Sequence, residues 1–271
     1  MDAVGAVTRL RAAVAAGGLN VTGTADAAAW DAAMPASRRT DALLPGARSI
    51  LVFGNGGSAL WNALVADLRR DPRGLTEQLH PLDAYVRRVV AAADPLLGDV
   101  PRRWFWATAE AELHVDFRML AALGGMGVQS KLGLLLHPEW GTWLGLRAAC
   151  FLASDLPASA PLTHEPCISC HAPCITACVG AAFVDSRWDV DTCARFHRDA
   201  DACERTCASR LACPEGAAHR YAPAHYAYHS HRRSGRALLR EAIGLPPGAD
   251  PHEGVGPHWG DWRARVDVKG P

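Results

Sequence analysis

The sequence predicts an α+β protein: a layered core of strands and helices to about residue 160, then a compact cysteine-rich segment. Three observations carry this expectation. Short apolar runs bounded by Gly and Pro alternate with stretches of helical spacing. A Pro- and Ser-rich stretch without periodicity, SDLPASAPLTHEP (154–166), follows them as a linker. Eight of the nine cysteines then fall between Cys167 and Cys213. The expected division is 1–160 for the layered core, 161–218 for the cysteine domain and 219–271 for a basic helical extension.

The elements are read in chain order. Residues 5–18 form an amphipathic helix closed by Gly17-Gly18, and the strand-like LNVTGTA comes next. SILVFG (49–54) is a continuous apolar run between Pro45-Gly46 and a Gly-rich loop, as a buried strand is. Residues 79–97 place Leu82, Tyr85, Val86, Val89 and Val90 on one helical face. WFWATAEAEL supplies a strand, and HVDFRMLAALGG a helix that stops at Gly124-Gly125. GLLLHPEWGTWLGLRAACFLAS reads as a hairpin turning at Pro138–Gly141 with an apolar second arm. Residues 220–245 are helical and locally basic. The last stretch, from Pro246, is loop-like, with two tryptophans that pack back on the body.

Composition excludes some functions. At 271 residues, 49% hydrophobic and 21% charged, the chain buries a sizeable core. Its formal net charge is zero, so no global field draws it onto nucleic acid or an anionic membrane. Arg9 and Arg11 interrupt the apolar stretch of the N-terminus and so break a secretory signal. No run reaches the roughly 18 uncharged apolar residues of a membrane span. The expected location is therefore cytoplasmic, where thiols stay reduced and clustered cysteines point to metal.

The cysteines fall into two groups. The first is Cys167-x2-Cys170-x3-Cys174-x3-Cys178; the second is Cys193, then Cys203-x3-Cys207-x5-Cys213-Pro214. Short gaps suit a cubane cluster, because one loop must bring several thiolates to a small inorganic core. In the bacterial ferredoxin arrangement the last cysteine of each run ligates the other cluster. By that crossover rule Cys167, Cys170 and Cys174 join Cys213, while Cys178, Cys193, Cys203 and Cys207 hold the second cluster. Eight ligands make two complete [4Fe–4S] sets with no remainder. Zinc also accepts four cysteines, but its sites usually take two separated Cys-x2-Cys pairs, and one x2 pair exists here. The pattern departs from the usual one at Val179, where a proline commonly stands, and in the looser second run. Cys150, in the apolar CFLA, reads as a buried small hydrophobe.

The whole arrangement resembles epoxyqueuosine reductase, a cobalamin- and iron–sulfur-dependent tRNA-modifying enzyme, and its reductive dehalogenase relatives. The resemblance rests on LNVTGTADA, PGARSILVFGNG, the Gly-x-Gly-x-x-x-Lys stretch in GMGVQSKLGLLLHPEWGTWLGL, and DVDTCARFH between two cysteine runs. It covers about residues 5–216. LHPEWGTWLGLRA also resembles the cobalamin-processing chaperone that removes upper ligands from cobalamin. The resemblance implies a nitroreductase-like α/β core binding a corrin, followed by a ferredoxin-like two-cluster domain. Clusters would then deliver electrons to cobalt, fed by a low-potential donor of ferredoxin or flavodoxin type. Cobalamin would bind base-off: Asp250-Pro-His252-Glu-Gly254 misses the Asp-x-His-x-x-Gly pattern, since Val255 stands at the glycine, and reads as a polar loop.

The resemblance also implies site residues. Its proton-donor aspartate maps nearest to Asp116, although an ungapped count lands near Glu110 or Glu112; a helix N-cap is the alternative for Asp116. Asn55, Gly127, Gln129, Lys131, His137 and Trp140 fall where the corrin would be contacted. Their plainer roles are a strand end, a tight turn and an exposed hairpin. The arginines and histidines of 219–240 form either a solvated helix face or a contact to phosphate. A small molecule or tRNA is the implied substrate. Three functions stay open: a cobalamin-dependent reductase, a cobalamin-processing protein, and a ferredoxin-like electron carrier without corrin. Flavin is the alternative to cobalamin in the core.

Overall fold

The computed structural model describes residues 2–107, 115–203, 205–230, 232–248 and 250–252. The chain forms two compact units. The first comprises Met1–Ala63, Leu82–Val128 and Leu144–His164; the second comprises Leu64–Pro81, Gln129–Trp143 and the chain from Glu165 onward. No helix among the described residues is long and apolar enough to cross a membrane.

In the first unit, α1 (Ala3–Ala16) starts where Asp2 accepts from the Val4 N–H at 3.1 Å. It ends as a Schellman motif: Gly18, at φ +94°, donates to the Ala15 carbonyl and Leu19 donates to that of Val14. β1 (Val21–Asp26) leads directly into α2 (Ala27–Ala33), because the Asp26 carboxylate caps the helix through the Ala29 N–H. A short α3 (Thr40–Leu43) precedes β2 (Ser49–Gly56). α4 (Ala59–Arg70) carries the chain out of this unit, α5 (Arg73–Thr76) lies in the second, and α6 (Pro81–Ala93) brings it back. β3 (Arg102–Trp106) and α7 (Phe117–Leu123) follow; β4 (Val128–Gln129) straddles the boundary, β5 (Leu135–Leu136) belongs to the second unit, and β6 (Leu144–Leu152) to the first.

The sheet of this unit has the order β1-β2-β6-β3, with every neighbouring pair antiparallel. All eight residues of β2 are buried, which requires cover on both faces. Trp30 of α2 meets Phe151 edge-on on one face, at 6.1 Å between ring centroids. On the other face Trp104 packs on Phe53 at 5.5 Å and Arg87 of α6 lies over Trp106 at 4.7 Å. Each fully buried side chain such as Leu51 or Phe53 contributes about 1.5–3 kcal/mol. Helices on an antiparallel sheet make this the expected α+β class.

One expectation is corrected. The turn at Pro138–Gly141 is real, for His137 and Gly141 exchange both backbone hydrogen bonds, but its arms do not pair. β5 pairs with β4, and β6 joins β2 and β3. A nine-residue strand whose last five residues are all buried needs a strand on each edge, which a two-residue arm does not offer. The stretch 154–166 has no helix or strand, yet it is no free tether: Ser159 exchanges hydrogen bonds with the backbone of Thr24, and its Oγ accepts from Thr24 N–H at 2.9 Å.

In the second unit, α8 (Pro173–Thr176) follows the first cysteines and the ribbon of β7 (Phe183–Val184) and β8 (Arg187–Trp188) comes next. α9 (Val190–Asp199), capped by Asp189, carries Cys193; α10 (Ala208–Ala212) begins after Cys207. α11 (Pro223–Ser230) and α12 (Arg232–Ala242) pack on each other. The basic segment is not simply a solvated face. Arg236 is 5% exposed and donates to the carbonyls of Leu75, Gln78 and Leu79, while its Nε and Nη2 reach the two oxygens of Asp250. Arg220 and Arg240 donate to the Leu211 and Pro246 carbonyls. His231 and the terminal tryptophans lie outside the described residues.

Candidate metal centre

The second unit gathers the eight clustered cysteines into two sets. Cys167, Cys170, Cys174 and Cys213 line one cavity of about 240 Å³, which prolines 166, 173 and 214 and Leu132 and Leu136 make largely apolar. Burial pushes the Cys174 thiol up, and the neighbouring Cys167 and Cys170 sulfurs add to it. Cys213 is raised for the same first reason; the Glu215 N–H bonded to its sulfur opposes this, and Cys174 and Cys167 reinforce it. The other set shows the same coupling. Burial, then Cys207, Cys193 and Cys178, push the Cys203 thiol up to about 11. Cys193 is raised by burial, against a hydrogen bond from the Trp188 indole, with Cys207 and Cys178 again as neighbours.

Local backbone aims hydrogen bonds at these sulfurs. Ala172 takes a left-handed conformation at φ +54° and its N–H donates to Cys170 Sγ at 3.4 Å. Ala181, at φ +47°, places the Ala182 N–H 3.3 Å from Cys178 Sγ. This conformation costs a non-glycine residue about 1–2 kcal/mol, and the compensation lies in a donor turned to a half-buried sulfur. Among the described residues no three His, Cys, Asp or Glu side chains converge as ligands of a single metal ion. The first set frames a cavity rather than a point. The donor chemistry therefore fits a four-cysteine cluster, whose sulfurs stand around an inorganic core.

Trp188, Arg210 and Glu215 were not among the residues singled out from sequence. Trp188 donates to Cys193 while its ring lies against Gly133, where a Cβ would strike it. Glu215 lines the first cavity. A signal existed for Glu215, which follows Cys213-Pro214 directly; none marked Trp188.

The residues named for a corrin are placed as follows. Asn55 is fully buried, its Oδ1 accepting from Arg147 Nε at 2.8 Å and its Nδ2 donating to Gly57 O at 3.4 Å. Asp116 caps α7, its Oδ1 accepting from the N–H groups of Arg118 and Met119 at 3.0 Å each. Gly127 is buried between α7 and β4. These three lie in the first unit; Gln129, Lys131, His137 and Trp140 lie in the second. Gln129 is exposed, and Lys131 lines the first cysteine cavity. His137 Nδ1 accepts from the N–H of Glu139 and of Trp140, so the ring braces its own turn. Trp140 packs on His219 at 4.4 Å between ring centroids. His252 Nε2 lies 3.0 Å from the Thr76 carbonyl and its N–H reaches Asp250. Glu110 and Glu112 lie outside the described residues.

The chain shares its fold with epoxyqueuosine reductases and with a B12-trafficking protein. A selenomethionine-labelled epoxyqueuosine reductase superposes with a TM-score of 0.56 at 14% identity, over 79% of this chain and 66% of that one. The chain thus spans just under two thirds of that enzyme. An epoxyqueuosine reductase bound to an epoxyqueuosine-modified tRNA-Tyr stem loop gives 0.54 at 13% identity, over 80% and 67%. The C. elegans B12-trafficking protein CblC, a homologue of human MMACHC, gives 0.58 at 9% identity, over 90% of this chain and 99% of that one. No protein-family model and no curated protein sequence matches the chain.

Proposed function

We propose that the chain is a cobalamin-dependent redox protein in which two [4Fe–4S] clusters feed electrons to a base-off corrin for reductive chemistry. The supporting observation is the sorting of eight cysteines into two complete sets, with Cys213 drawn from the second run to the cavity of the first. Cys167, Cys170, Cys174 and Cys213 would hold one cluster; Cys178, Cys193, Cys203 and Cys207 the other. Bound there, the clusters supply one-electron transfer at low potential. The chain's own part is to bury the sulfurs and give them N–H donors from Ala172, Ala182 and Glu215.

Cobalamin enters this reading through the shared fold. Of the residues named for it, Asn55, His137 and Trp140 are engaged within the protein. His252 is committed to Thr76, consistent with base-off binding. Asp116 remains the proposed proton donor; its role requires it to leave the α7 cap. An electron donor of ferredoxin or flavodoxin type is the partner, and a modified tRNA is the best-defined substrate, since one structural relative is bound to such a stem loop. The near-complete overlap with CblC favours a second reading, reductive removal of cobalamin's upper ligand followed by delivery of the cofactor.

The test is anaerobic purification with hydroxocobalamin, followed by iron, sulfide and cobalt analysis and a visible spectrum. The proposal expects about eight iron and eight sulfide per chain, one retained cobalt and a base-off spectrum. Iron without cobalt would leave a flavin protein or an electron carrier. Zinc in place of iron would end the cluster reading. Multiple turnover on tRNA separates reductase from cofactor handling.

A further inference from the structure

We propose that Arg210 is the fixed counter-cation of the cysteine set Cys178, Cys193, Cys203 and Cys207, and that it raises the reduction potential of the cluster held there. The inference rests on the cluster reading and assigns a residue that neither spacing nor the resemblance marks.

Arg210 is held rigidly. Its guanidinium lies 4.3 Å from the Trp143 ring centroid and 4.9 Å from that of Tyr221, and Nη2 donates to the Thr142 carbonyl at 2.5 Å. The two rings meet edge-on at 5.1 Å between centroids, and the corner they form suits a weakly hydrated guanidinium. Cys207 and Leu211 pack against the same Trp143–Tyr221–Tyr226 group. Arg210 also stands three residues after Cys207, the N-cap of α10, a spacing that puts both on one side of the helix.

Several buried polar atoms around the guanidinium are left unanswered. Arg210 Nε, Trp143 Nε1, Ser209 Oγ and Thr142 Oγ1 are all buried without a hydrogen-bond partner, and among the described residues no carboxylate pairs with Arg210. A half-buried cation with unpartnered polar atoms beside it is costly unless a partner answers them. The anionic group at hand is the Cys207 sulfur, whose side chain packs against the same Trp143–Tyr221 pair that holds the guanidinium.

Reduction of a cluster by one electron forms and breaks no bond and adds one negative charge to a group already anionic. A fixed cation beside it favours the reduced form, because net charge and hydrogen bonding around the sulfurs set the potential. Lysine at 210 would keep the charge, while methionine or glutamine would remove it.

The experiment is an EPR-monitored redox titration with dithionite on the anaerobically purified holoprotein, with iron and sulfide measured on each sample. Wild type is compared with Arg210→Met, Arg210→Gln and Arg210→Lys. The expected result is unchanged iron in Arg210→Met and one of the two couples displaced to more negative potential. At a fixed poise its reduced-to-oxidised ratio falls about tenfold, equivalent to about 59 mV for one electron, and Arg210→Lys restores most of it. Full iron with both couples unmoved overturns the assignment. Should Arg210→Met fail to load, Arg210→Gln decides by the same criterion. A wild-type protein that takes up no iron under reconstitution overturns the cluster reading itself.

Discussion

Cys213 and Cys174 face one cavity although they come from different cysteine runs. The two loops are therefore crossed, and loss of either residue should have the same consequence. Cys213→Ser and Cys174→Ser are each expected to lower iron from about eight to about four per chain, and the double variant to go no lower. Cys213→Ser combined with Cys203→Ser should remove both clusters. Iron and sulfide analysis with EPR reads the outcome, and a Cys213→Ser, Cys203→Ser protein that keeps half its iron would contradict the partition.

Asp94 is the pivot of the first unit's β3 edge. It accepts from Arg102 Nε at 2.6 Å, from Arg102 Nη2 at 2.7 Å and from the Trp104 indole at 2.7 Å. The Arg102 hydrogen bond holds its carboxyl below the ordinary value, with burial opposing and Trp104 assisting. A carboxyl lowered on folding stabilises above its unfolded pKa of about 3.9, and that contribution is lost as pH falls through the folded value. Asp94→Asn should cost about 1–2 kcal/mol at neutral pH and flatten the stability profile below about pH 4. Urea unfolding of both proteins across that range measures it.

How much of this was visible beforehand depends on the kind of signal. The cysteine run announced itself because ligands to one small core must be close in sequence, and SILVFG because a strand buried on both faces leaves a continuous apolar string. Asp2, Asp26, Asp116 and Asp189 are N-caps, a role read in advance only for Asp116, and there as an alternative. Strand partnership was not legible: β6 pairs with strands about 45 and about 95 residues earlier, and nothing local specifies that. Arg210 and Arg236 were hidden because a buried arginine and a solvated one look alike in sequence.

Gly23 faces the turn after α7 so closely that a Cβ would strike the Gly124 carbonyl oxygen and lie 2.9 Å from Met126 Cγ. The methionine can swing aside, but the backbone carbonyl cannot. Gly23→Ala is expected to cost about 1–3 kcal/mol as overpacking. The change should appear as a lower urea midpoint with an unchanged slope; an unchanged midpoint would mean that α7 shifts freely on β1.

Arg236 and Asp250 form a pair with side chains 6% and 18% exposed. Burial, the largest single influence, opposes ionisation of Asp250, but the hydrogen bonds from Arg236 and the His252 N–H, together with the charge of Arg236, hold the carboxyl below its ordinary value. Removing the cation alone leaves a buried carboxylate and three carbonyls without their donor. Arg236→Met should therefore cost about 3–5 kcal/mol. Adding Asp250→Asn should recover part of the loss, and a double-mutant cycle on thermal unfolding gives the coupling.

Cys150 offers a probe of the state of the other eight cysteines. It is fully buried in β6, and burial, with the Asp94 charge adding and Arg102 opposing, pushes its thiol far up. Since the thiolate is the reactive form, Cys150 should not react with a thiol reagent in the folded protein at pH 8. Ligand thiols differ, because a metal-bound sulfur is blocked until the metal leaves. Holoprotein should thus show almost no reactive thiol, and oxidative removal of iron followed by reduction should release eight. The ninth should appear only in denaturant, at the midpoint of global unfolding. Rapid labelling of nine thiols in the folded apoprotein would place Cys150 at a surface and contradict the sheet order β2-β6-β3, in which its strand is internal.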